Sequence, residues 1–81
     1  MNKTNRKILV TGGAGFIGSN LIPRLLAKDY SVTAFDNLHS GKLENIAEAK
    51  NNPNFKFKYG DIRDKSKLHV AIREVDTVVP P

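Results

Sequence analysis

Cysteine is absent from the 81 residues, which excludes disulfides, thiolate catalysis and Cys-bound zinc. That fits a reducing compartment, and a cytoplasmic protein is expected. Long apolar runs are missing as well. The opening segment, Met1 to Lys7, is polar and basic, and only Ile8, Leu9 and Val10 follow before glycines intervene. Such a run is too short for a signal-peptide core or a membrane span, so no membrane partner is expected. There is no internal repeat, low-complexity tract or interdomain linker, and a chain of this length holds one small domain at most.

Nor is there a block of one charge. The formal net charge of +5 comes from 13 Lys and Arg against 8 Asp and Glu, with the basic residues scattered from Lys3 to Arg73. Scattered cations read as the solvated faces of helices and strand ends, so nucleic acid is not an expected partner. Catalytic groups are equally scarce. His39 and His69 read as surface histidines, and Ser19 and Ser40 have no evident base partner. No catalytic residue and no metal ligand is nominated.

What is present is an alternation of strand and helix patterns. Residues 7–11 (KILVT) form a short apolar run suited to a strand buried on both faces. From Phe16 to Lys28, apolar residues at 17, 21 and 25, with 22 and 26 beside them, mark one side of a helix. A second strand is expected over 31–36, a short helix over 42–50 and a third strand over 55–60. A third helix over 66–75 would turn Leu68, Ile72 and Val75 inward, and a fourth strand begins at 76–79. Pro23 predicts a bend in the first helix. Asp29 stands where such a helix often ends on glycine.

This order implies an α/β fold of parallel strands joined by right-handed crossovers. With strand order 3-2-1-4, the first two helices cover one face and the third covers the other. The switch point then falls beside the carboxyl end of the first strand.

Four glycines lie there, in TGGAGFIG (11–18). Backbone without side chains lets the chain turn tightly and lets phosphate oxygens approach the bare amides that open the next helix. Gly13, Gly15 and Gly18 fit G-x-G-x-x-G; Gly12, Gly15 and Gly18 fit G-x-x-G-x-x-G. No Gly-Lys-Ser/Thr follows, which excludes a P-loop. Asp36 closes the second strand, where a carboxylate can accept from adenosine ribose hydroxyls and would repel a 2′-phosphate, favouring NAD over NADP. Asp61 and Ile62, after the third strand, could frame an adenine; Asp61 could equally cap the third helix.

Taken together, TGGAGFIGSNL, FDNLHSGKLENI and GDIRD resemble the amino-terminal segment of the extended short-chain dehydrogenase/reductases, nearest to the nucleotide-sugar epimerases and dehydratases. The resemblance runs from Lys7 to Val79. It implies a partial Rossmann fold, a parallel sheet of about four strands in order 3-2-1-4 with helices on both faces, and NAD as cofactor. It selects the register Gly12, Gly15 and Gly18. It implies pyrophosphate contacts from the Phe16 and Ile17 amides, and ribose contacts from Asp36 and Asn37 with Ser40 and Gly41 alongside. Asp61 and Ile62 would contact adenine.

The Tyr-x-x-x-Lys pair of the family is not found: Tyr30 is followed four positions on by Ala34, and Tyr59 by Arg63. Residues 1–81 are therefore expected to be the amino-terminal part of an NAD-binding domain. Catalytic and substrate regions would be lacking, and a nucleotide sugar would be a partner only of a full-length form. The alternative is a non-catalytic dinucleotide-binding or interaction module that self-associates through the open edge of its fourth strand, at Val78 and Val79.

Overall fold

The central strand, β1 (Lys7–Thr11), buries Ile8, Leu9 and Val10. Because successive side chains point to opposite faces, such a run must be covered on both sides. The computed structural model, which describes residues 6–80, shows how. The opening residues through Asn5 and the final Pro81 lie outside the described residues.

The remaining elements are α1 (Phe16–Ala27), β2 (Ser31–Asp36), β3 (Phe55–Tyr59), α2 (Lys65–Arg73) and β4 (Thr77–Val79). All strand pairs are parallel, and the order is β3-β2-β1-β4, as expected. Ile8 and Val10 face α1 in a cluster with Ile22, Leu26, Val32 and Ile46. Leu9 and Phe35 face the other way, onto Ala71 of α2. Helices therefore cover both faces.

Three local expectations are corrected. The buried residues of α1 are Gly18, Ile22 and Leu26, while Ile17 is 81% exposed. The stripe is rotated by one residue because the helix comes closest at a position without a side chain. A Cβ on Gly18 would lie 2.6 Å from the Gly12 carbonyl oxygen. On α2 the inward residues are Leu68 and Ala71, with Val75 joining them just past its end, whereas Ile72 is exposed.

Residues 42–50 form no α-helix. They make a 3-10 turn at Leu43–Ile46, and a second turn spans Ala49–Asn51. Only Ile46 is buried there, too little apolar surface to hold an amphipathic helix. The Lys42 amide and the Asn45 side-chain amide both donate to the Ala14 carbonyl, at 3.1 and 2.8 Å, which fixes the segment against the glycine turn.

α1 continues through Pro23, which lies on its exposed side, so water can solvate the carbonyl that proline leaves without a donor. The helix ends on Asp29 at φ 67°. The Asp29 amide donates to the Leu26 carbonyl at 2.9 Å and the Tyr30 amide to Leu25 at 3.3 Å, a Schellman closure made without glycine. Asp64 caps α2 by accepting from the Lys67 amide at 3.3 Å. Asp76, just before β4, exchanges hydrogen bonds with Lys7 and so ties the two strands together at their start.

Candidate functional site

The carboxyl ends of β1, β2 and β3 share one rim of the sheet. At the end of β1 the chain turns on Gly12, whose φ of 70° is the left-handed conformation that glycine adopts without strain. Its amide donates to the Phe35 carbonyl at 2.8 Å, and its carbonyl accepts from Gly15 at 3.0 Å. Gly13 packs directly on β2, since a Cβ there would lie 2.6 Å from the Ala34 Cβ. Gly12 and Gly13 are thus both needed, for different reasons, and the two sequence registers overlap in one turn. A Cβ on Gly15 would meet only the Gly12 carbonyl oxygen, at 3.2 Å, and otherwise open space.

Gly15 is also the N-cap of α1 and offers no side chain to its amides. The amides of Phe16, Ile17 and Gly18 belong to the first turn, which has no intrahelical acceptors, and they carry the positive end of the helix dipole. The Phe16 and Ile17 side chains are both exposed.

Asp36, at the end of β2, is only 8% exposed. Its Oδ2 accepts from the Ala14 amide at 2.9 Å and its Oδ1 from the Leu38 amide at 2.7 Å. This carboxylate fastens the glycine turn to the loop after β2. A carboxylate offers about four acceptor positions, so about two remain. Gly41 completes the junction: a Cβ there would lie 2.8 Å from both the Ala14 carbonyl carbon and Asp36 Oδ2.

Across the rim, Arg63 grips Asp61 with a guanidinium contact of 2.7 Å from Nη2 to Oδ2 and another of 3.0 Å from Nε to Oδ1. The Arg63 backbone amide adds a bond of 2.8 Å to Oδ1. The side-chain bonds from Arg63, and then its amide, hold the Asp61 carboxyl well below the usual carboxylate range and raise the Arg63 pKa in turn. Asn37 joins the cluster, donating to Asp61 Oδ2 at 3.2 Å while its Oδ1 accepts from the His39 amide at 2.9 Å.

One cavity of about 510 Å³ is bordered by Gly12 and Gly15 from the turn and by Asp36, Asn37, Ser40 and Gly41 from β2 and its loop. Asp61 and Ile62 close it from the side of β3. Phe16, Ile17 and Gly18 are not in its lining; they stand at the adjoining helix start. His39 borders the cavity while exposed, and His69 lies on α2, outside the lining. Sequence reasoning missed Arg63, Ala14 and Asn45. Arg63, two residues from a nominated aspartate, was open to notice; Ala14 and Asn45 matter only because the loops meet. Among the described residues, no group of three His, Asp or Glu is placed to hold a metal, and no helix is long and apolar enough to cross a membrane.

A parallel sheet ordered 3-2-1-4, a glycine turn beneath a helix start and a carboxylate closing β2 define a Rossmann-fold protein. The sequence model of the family described as GDP-mannose 4,6 dehydratase matches residues 9–79, and the chain belongs to this family of NAD-dependent epimerases and dehydratases. UDP-glucose 4-epimerase of Mycolicibacterium smegmatis is 50% identical over 58 residues, which are 72% of this chain and 18% of that protein. dTDP-glucose 4,6-dehydratase of an Actinoplanes species is 44% identical over 80 residues, covering 89% of this chain and 25% of that one. The chain thus spans a quarter or less of the length of these two relatives. The crystal structure of dTDP-glucose 4,6-dehydratase from Bacillus anthracis in complex with NAD superposes with a TM-score of 0.83 at 40% identity. It covers 93% of this chain and 26% of its own.

Proposed function

We propose that this chain binds NAD and forms the dinucleotide seat of a nucleotide-sugar epimerase or dehydratase. The observation that carries the proposal is the shared cavity: residues from three separate strand ends border one space beside an uncapped helix start. The fit follows from the donors. The amides of Phe16 and Ile17 suit a pyrophosphate, and the space beside Gly15 is where a side chain would intrude on it. The remaining acceptor positions of Asp36 suit ribose hydroxyls, with Asn37, Ser40 and Gly41 beside them. Asp61, with the Arg63 and Asn37 donors it holds, and the half-exposed Ile62 suit a purine edge and face.

Bound NAD supplies hydride transfer. The residues of this chain hold and orient it, and a buried anion at Asp36 disfavours a 2′-phosphate. With no Tyr-x-x-x-Lys pair in the sequence, the 81 residues alone are not catalytic, and a nucleotide sugar is a substrate only where a longer chain supplies that pair. The test is thermal unfolding with each dinucleotide. NAD, which binds the native state, raises the melting temperature and NADP raises it less. Equal shifts, or none, overturn the proposal.

A further inference from the structure

We propose that Arg63 is the positioning residue for the adenine end of this cavity: it fixes the Asp61 carboxylate, and through it the Asn37 side chain, so that two loops present one preset edge to a purine. The inference rests on the dinucleotide reading above and deepens it. Arg63 approaches Asp61 with three donors, two from the fork of the guanidinium and one from its own backbone. A planar fork on a carboxylate sets its rotation as well as its charge. Together with Asn37 these donors fill its roughly four acceptor positions, so the edge meets a purine with the remaining N–H groups of Asn37 and the guanidinium.

Asn37 follows from Asp61. With its Oδ1 occupied by the His39 amide and its Nδ2 directed at Asp61, neither rotation nor an amide flip is left free. The loop after β2 is thereby tied to the loop after β3 across the cavity. The charge pattern agrees. The charged residues of the lining are the carboxylates of Asp36 and Asp61 and the guanidinium of Arg63, with His39 the other titratable group. Arg63 brings the lining from two negative charges to one, which lowers its repulsion of a ligand carrying two phosphates. The Arg63 side chain is 85% exposed, so little of the core depends on it.

The alternative is that Arg63 merely stiffens the turn closed by the Asp64 amide on the Asp61 carbonyl at 2.8 Å. Binding of NAD and of nicotinamide hypoxanthine dinucleotide, in which a keto group replaces the purine amine and N1 changes from acceptor to donor, separates the two. It is measured for the unsubstituted chain, Arg63→Met and Arg63→Lys, alongside carbon-13 NMR titration of the Asp61 carboxyl. Arg63→Met is expected to bind NAD about tenfold more weakly, with the preference for adenine over hypoxanthine falling toward unity. The Asp61 titration should rise toward the ordinary carboxylate range, and the melting temperature of the free protein should hardly move.

Arg63→Lys should lower the titration again without restoring the adenine preference, since an ammonium lacks the fork. An unchanged preference in Arg63→Met, with only the melting temperature lowered, overturns the proposal and leaves NAD binding standing. Failure of the unsubstituted chain to bind either dinucleotide overturns both.

Discussion

Asp36 carries two duties that a sequence cannot separate. Its oxygens hold the Ala14 and Leu38 amides, so Asp36→Ala leaves the buried Ala14 amide without an acceptor and should cost about 2 kcal/mol of stability. Asp36→Asn should also destabilise, because one amide would then face an NH2 group. Chemical denaturation of the free protein checks both. Altering cofactor preference at this position is therefore limited by the fold.

The glycines divide in the same way. Gly41→Ala drives a methyl into the Ala14 backbone, and should lower the stability of the free protein by about 1–3 kcal/mol. Gly15→Ala meets one backbone oxygen at 3.2 Å and loses a favoured N-cap residue. It should lower the stability of the free protein less than Gly41→Ala does while weakening NAD binding about tenfold, measured by calorimetry. Asp61 makes stability pH-dependent in acid. Its folded pKa is depressed, so its contribution is complete above the unfolded carboxylate range and is lost as pH falls below it. Between pH 5 and 8, about where its ionisation is complete in both states, this group leaves stability flat.

Among the elements, α1 shows which local signals were sufficient. Its start, length and general inward side follow from apolar spacing, but its orientation was set by contact with the glycine turn, which no periodicity reports. The end of the helix was legible as a cost: Asp29 occupies a left-handed position usually given to glycine. Asp29→Gly should stabilise the protein by about 0.5–1 kcal/mol, read from the denaturation midpoint with an unchanged slope. The connection at 42–50 misled because its composition is helical while its hydrogen bonds are long-range. Lys42 and Asn45 spend theirs on Ala14, 28 and 31 residues away in sequence.

For the whole molecule, the described sheet has two edge strands, β3 and β4, and β4 pairs only with β1. Val78, in the middle of β4, is 39% exposed. If that edge pairs with a second copy, Val78→Lys should reduce self-association without lowering monomer stability, as seen by sedimentation over a range of concentration. Concentration-independent sedimentation of the unsubstituted chain would remove the interaction-module alternative.

Strand order, two of the three expected helices, parallel topology, the glycine turn and the acidic strand end were readable from residue order, because periodicity and steric permission act within a few residues. Three things waited for the assembled sheet: the exact rotation of each helix about its axis, the double duty of Asp36, and the Arg63–Asp61–Asn37 chain. Each depends on groups distant in sequence, such as Asp36 with the Ala14 amide or Asn37 with Asp61, that become partners only when neighbouring elements pack together.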